Sequence, residues 1–233
     1  MDNSEKNLVL AFAESLFEPV FDIGTDVAEV AVDSLFEDGS ILEAIPVVKI
    51  ICAVGKAVLS VRDKYLCKRL AVFIQEFNNG KLSQKQIDKH KEKLLNENRL
   101  EAECERILLL IDQSTYESQT KYLCRFYQAY INQDISWEKF QELAEANQRM
   151  FIGDYSILKD IVYKKIKTYV SAEQESNINR LISLGLINDY RLKNDAILLT
   201  AEYKDTGIQL TEFGKVFGRY LDVIEADGTG ASY

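Results

Sequence analysis

Between residues 19 and 37 the apolar side chains Val20, Phe21, Ile23, Val27, Val30, Ala31 and Leu35 fall on one side of a helix. Glu18, Asp22, Asp26, Glu29, Asp33 and Glu37 recur at steps of 4, 4, 3, 4 and 4 along the opposite side. Residues 4–17 predict a helix before this one, and Pro19 suits the first turn of the second. Asp38-Gly39-Ser40 closes the pair. Next, Ile41–Val61 contains only Glu43, Lys49, Lys56 and Ser60 as clearly polar side chains. Starting at Pro46, one helix is expected to run to about Phe77, where Asn78-Asn79-Gly80 stops it. At about 1.5 Å per residue it would span roughly 48 Å, the longest element of the fold.

Lys49, Lys56, Ser60 and Asp63 make a narrow polar stripe on that helix, so most of its circumference seeks burial. Burial in a soluble bundle is the leading expectation, and insertion of 41–61 into a membrane interface is the alternative. A stable span is disfavoured, because each charged group costs about 2.5–3.5 kcal/mol at mid-bilayer. Beyond residue 80, Ser83–Gln86 and Ser114–Glu117 match the capping-box pattern, and Ser136 can cap Trp137–Met150. Leu100–Ile111 is a short, apolar-faced helix. Tyr122, Leu123, Phe126, Tyr127, Tyr130, Phe140 and Leu143 recur at helical spacing and are expected in a core.

After Gly153 the pattern changes. A helix over Tyr155–Tyr169 is followed by one opened by Ser171-Ala172-Glu173-Gln174 and ending at Leu184-Gly185. Strand-like pieces come next at Leu186-Ile187, Ile197–Tyr203 and Gly207–Leu210, and Thr211 caps a last helix to Ile224. The expected fold class is therefore mainly α: a helical bundle with a small C-terminal winged-helix-like unit containing a short β-hairpin. Residues 1–40 form an acidic helical arm, 41–150 the bundle, 151–225 the winged-helix-like unit, and 226–233 a flexible tail.

Charge adds a second division. Residues 1–40 hold ten acidic groups and one lysine, a balance of −9, equal to the net charge of all 233 residues. Residues 41–100 carry 12 basic and 6 acidic groups. A complementary face is thus expected between Glu18, Asp22, Asp26, Glu29, Asp33 and Glu37 on one side and Lys49, Lys56, Arg62, Lys64, Lys68 and Arg69 on the other. In a switch reading, the arm docks on helix 46–77 and its displacement exposes that helix to a protein partner or an anionic membrane surface. The acidic total argues against a generally nucleic-acid-binding surface.

Catalytic chemistry is not legible. His90, the sole histidine, lies in the charged run Lys85–Lys93, where a solvated side chain is expected, and no triad or phosphate loop can be read. Cys52, Cys67, Cys104 and Cys124 lack metal-site spacing and are expected to be reduced, three of them buried. No cofactor or metal is expected, nor a secretory signal, since Met1–Glu5 is acidic. A cytoplasmic protein fits these readings, with membrane association as the alternative.

The phrases Leu181-Ile182-Ser183-Leu184-Gly185-Leu186-Ile187 and Ile208-Gln209-Leu210-Thr211-Glu212-Phe213-Gly214 resemble the "rL..lGLi … y.LT..G" signature of winged-helix families. Glu173 and Glu175 against Arg180 give the helix before the hairpin a poor field for DNA, although Asn177 and Asn179 could read bases. Together with Cys124–Lys139 and the helix from 154 to 170, residues from roughly 100 to 220 resemble bacterial abortive-infection proteins of the alpha type. The resemblance rests mainly on Leu184, Gly185, Leu186, Ile187, Leu210, Thr211, Gly214 and Phe217. It implies a host-defence or phage-response setting, and it supplies no catalytic residues. The "NLL" and "HP.F" motifs of that family are not found.

Overall fold

A computed structural model describes residues 3–18, 45–54, 59–80, 82–163, 171, 174–190 and 207–221. It is mainly helical and divides into two compact units, 1–149 and 150–233. In the first, the described helices are α1 (Asn3–Phe17), α2 (Pro46–Val54), α3 (Val61–Asn78), α4 (Gln84–Asn96), α5 (Leu100–Gln113), α6 (Glu117–Ile131) and α7 (Trp137–Gln148). In the second they are α8 (Ile152–Val162), α9 (Glu175–Ser183) and α10 (Glu212–Gly218), with strands β1 (Ile187–Asp189) and β2 (Ile208–Leu210).

The first unit is built around α3 and α6. Their apolar faces meet through Phe73, Phe77 and Tyr127, and Tyr127 in turn meets Phe140 of α7 with ring centroids 5.8 Å apart. Burying aromatic side chains of this size contributes about 1.5–3 kcal/mol each. Polar side chains then fix how the helix ends sit. Gln128 donates to the Glu76 and Phe77 carbonyls at the end of α3, satisfying acceptors that the helix itself leaves open. Gln119 and Asn147 exchange side-chain-to-backbone bonds of 3.1 and 2.8 Å between the start of α6 and the end of α7.

The expected 48 Å helix is two helices. Ser60 has extended backbone (φ −67°, ψ 159°), its hydroxyl accepts from the Asp63 N–H, and Asp63 reaches back to the Ser60 N–H. This capping box starts α3 afresh at Val61, so the serine placed in a polar stripe is a helix start. Val47 and Val48 of α2 are buried while Cys52 and Ala53 are exposed. No helix among the described residues is long and apolar enough to cross a membrane.

Residues 3–18 pack into the first unit. Phe12 and Phe17 are fully buried, α1 packs against α2 and α5, and the Val47 N–H donates to Ser15 Oγ at 3.1 Å. Apolar spacing within α1 drives this: Val9, Phe12, Ala13, Leu16 and Phe17 lie on one face. The second predicted helix, 19–37, lies outside the described residues, as do Lys56, the strand-like piece 197–203 and the tail 226–233.

Capping was mostly readable, with differences at the ends. Ser83, Ser136 and Thr211 cap α4, α7 and α10. Ser114, expected to open a helix, instead closes α5, its hydroxyl donating to the Leu110 carbonyl at 3.1 Å. Helix α6 starts after Tyr116, where Gln119 accepts from the Thr115 and Tyr116 N–H groups. Helix α7 stops at Gln148 rather than Met150, and α8 starts at Ile152, three residues before the expected Tyr155. Helix α10 stops at Gly218 rather than Ile224.

In the second unit, β1 and β2 pair antiparallel with Ile187 opposite Leu210 and Asp189 opposite Ile208. Gly185, in the left-handed region at φ +70°, ends the turn after α9. The Thr211 N–H then donates to the Leu186 carbonyl at 3.0 Å, and the Thr211 hydroxyl to the Gly185 carbonyl at 2.6 Å. Gly214 lies so close to this turn that a Cβ would sit 1.8 Å from the Leu186 oxygen. The residues that carry the family-like phrase thus hold the hairpin to the start of α10.

Candidate functional site

At one end of the first unit, the α4–α5 and α6–α7 turns come together around a hollow of about 740 Å³. Both turns use the same helix-ending geometry. Asn98 (φ 53°) follows α4, with the Arg99 N–H donating to the Leu94 carbonyl and the Asn98 N–H to that of Leu95. Gln133 (φ 66°) follows α6, with the Asp134 N–H donating to the Ala129 carbonyl and the Gln133 N–H to that of Tyr130. Each is a Schellman closure made without glycine.

The wall of the hollow includes Lys89, His90 and Lys93 of α4, Arg99, Tyr130, and Trp137. Behind it lies a buried polar cluster. His90 is only 7% exposed and Glu103 only 2%, and His90 Nε2 lies 2.7 Å from Glu103 Oε1. A carboxylate only accepts, so the Nε2 proton of His90 is the one donated. The Tyr127 hydroxyl donates to Glu103 Oε1 at 3.0 Å and the Tyr130 hydroxyl to Oε2 at 3.3 Å, while Arg99 Nη2 stands 3.8 Å from Oε2. His90 also meets Tyr130 edge to face at 5.3 Å, and Trp137 stacks on Phe140 at 5.0 Å.

The expectation of a solvated His90 is therefore overturned. Its α4 neighbours at helical spacing are Ile87 and Leu94, and Glu103 shares its face of α5 with Cys104, Ile107, Leu110 and Ile111. A titratable residue in the apolar stripe of each helix is the signal that could have found the pair, because two such groups buried together need each other.

Burial, with the Glu103 charge beside it, pushes the Tyr130 phenol from its ordinary 10.0 up to about 12 and the Tyr127 phenol well above its ordinary value. Both phenols stay protonated in the folded bundle at pH values where unfolded ones ionise. For Tyr130 the stabilising contribution is complete below pH 10 and is lost as the pH rises through about 12. Urea midpoints measured across that window are expected to fall, and to fall less in the Tyr127→Phe/Tyr130→Phe variant.

Chemically the cluster orients an imidazole, but it lacks a nucleophile: no serine or cysteine is hydrogen-bonded to His90 among the described residues. Burial raises the thiols of Cys67 and Cys104 to about 12, and that of Cys124 well above its usual range, which suppresses thiolate. No group of His, Cys, Asp and Glu among the described residues could hold a metal ion.

Of the residues expected to form a complementary face, several have partners among the described residues. Arg62 and Arg69 both reach Asp112, at 2.6 and 3.4 Å, and Lys68 reaches Glu117 at 3.0 Å. Among the described residues these cations are thus partnered by α5 and α6. Lys49 is exposed on α2, and Lys64 is half-buried on α3. Glu18 pairs with Lys91 of α4. Asp22, Asp26, Glu29, Asp33 and Glu37 lie outside the described residues. In the second unit Asn177, one of the two asparagines considered for reading bases, is bound to Asp154, while Asn179 is exposed. Buried Asp154 accepts from Arg180 Nε at 2.7 Å, from Arg180 Nη2 at 3.0 Å and from Asn177 at 2.8 Å.

Comparison of the chain with protein-family models, with curated proteins and with solved structures gave no match.

Proposed function

We propose that the chain works by association rather than catalysis: a helical bundle followed by a small unit of winged-helix order, binding a protein partner or a second copy of itself in a bacterial response to phage. The setting comes from the resemblance of the Leu184–Ile187 and Leu210–Phe217 phrases to abortive-infection proteins.

The use of the cations is what supports this reading over its alternatives. Arg62, Lys68 and Arg69, which would have met anionic lipid, are committed to Asp112 and Glu117. Asn177 and Arg180, which would have met DNA, are committed to Asp154. The acidic surplus of residues 18–37 then has less of its complement inside the chain than the charge totals implied, and it suits a cationic surface on another molecule.

Deleting residues 1–37 would remove the buried Phe12 and Phe17 and is the wrong test. Changing Asp22, Asp26, Glu29, Asp33 and Glu37 to their amides keeps α1. Light scattering is expected to show a salt-sensitive assembly in the parent chain and a smaller species in the amide variant. Identical masses for the two chains at low salt would sink the proposal. Co-sedimentation of the parent with anionic vesicles would favour a membrane-active effector instead.

A further inference from the structure

The hollow at the α4–α5 and α6–α7 turns carries chemistry that the association reading does not use, and we propose that it binds a nucleoside di- or triphosphate. The phosphates lie against Lys89, Lys93 and Arg99, and the base lies against Trp137. The inference stands independently of partner binding.

Four observations carry it. First, three permanent cations line the hollow against one carboxylate, Asp134, and that carboxylate already accepts from the Asn132 amide at 2.8 Å. Second, Lys89 and Lys93 stand one turn apart on the same helix face. Neither has an ion-pair partner among the described residues, so an added anion would relieve their mutual repulsion. Third, Glu103, whose charge would otherwise repel phosphate, is covered by His90, Tyr127 and Tyr130. Arg99 stands between Glu97 at 3.1 Å and Glu103 at 3.8 Å and lines the hollow. Fourth, Trp137 and the side-chain amides of Asn132 and Gln133 form another part of the wall, offering an aromatic surface and hydrogen-bonding edges. A site for phosphate alone needs neither, and about 740 Å³ is well beyond the needs of a single phosphate.

Trp137 is the only tryptophan of the chain, so its emission reports on this hollow alone. The full chain is titrated with ATP, adenosine or pyrophosphate, with excitation at the red edge of indole absorption to avoid adenine. ATP is expected to give a saturable change, with midpoints about tenfold or more higher for adenosine and for pyrophosphate. The Lys89→Ala/Lys93→Ala variant alters two exposed side chains and should keep the parent circular dichroism while raising the ATP midpoint by about tenfold. No saturable response to ATP, or the same ATP midpoint in the double variant, overturns the site. Equal midpoints for ATP and pyrophosphate overturn the assignment of the base.

Discussion

Glu103→Leu is expected to destabilise the N-terminal unit by about 3–5 kcal/mol, the range for removing one partner from a buried charged network. Leucine is close in size, so the loss does not come from a void. It comes from the donors left behind: the His90 ring, the Tyr127 hydroxyl and the Tyr130 hydroxyl all aim at one carboxylate. Tyr127 is fully buried, so its hydroxyl cannot turn to water without opening the α3–α6 contact. Glu103→Gln keeps an oxygen acceptor and is expected to lose only about 1 kcal/mol. Urea unfolding followed by Trp137 emission checks both. A loss under about 1 kcal/mol in Glu103→Leu would mean that the cluster contributes little to holding the helices.

Gly214→Ala is expected to abolish cooperative folding of the C-terminal unit, with a loss of about 3 kcal/mol or more. The added methyl would stand 1.8 Å from the Leu186 carbonyl oxygen, which is backbone and already accepts from Thr211. Neither side can yield cheaply. Moving α10 away breaks the two Thr211 bonds to the Gly185 and Leu186 carbonyls, and moving Leu186 disturbs the strand pair that begins at the next residue. Amide exchange is the direct measure: the Thr211 and Tyr190 N–H groups, bonded to Leu186 and Gly207, should lose protection while Trp137 emission in the other unit is unchanged. Protection at parent levels in both amides would contradict the close approach.

Local rules account for what the sequence made legible. Helix starts at Ser83, Ser136 and Thr211, and the stop at Gly185, depend on side-chain chemistry within three or four residues, which is readable in a linear chain. The mainly helical class with a small hairpin followed from the same signals. The long helix over 46–77 misled because periodicity measures burial, not continuity, and it runs unbroken across Ser60 although the backbone does not. Asp112 and Glu117 were not legible as partners of Arg62, Lys68 and Arg69 because charge totals say which signs coexist, not which surfaces meet. Asp112 and Glu117 lie more than forty residues away along the chain from the arginines and lysine they neutralise. The hollow was missed for the same reason, since its walls come from α4, the start of α5, the end of α6 and the start of α7.

The burial of α1 also bears on the order in which the bundle forms. Contacts of α4 with α5, and of α6 with α7, join neighbours through short turns and cost little loop entropy, so they can close early. Helix α1 instead lies against α5, with Lys6 reaching Glu101 at 3.6 Å, and must wait for a far larger loop to close. The groove for Phe12 and Phe17 is therefore expected to be completed before its occupant arrives. During synthesis α1 leaves the ribosome before the helices that bury it and is expected to be seated after them, and until then its apolar face is what a chaperone would meet.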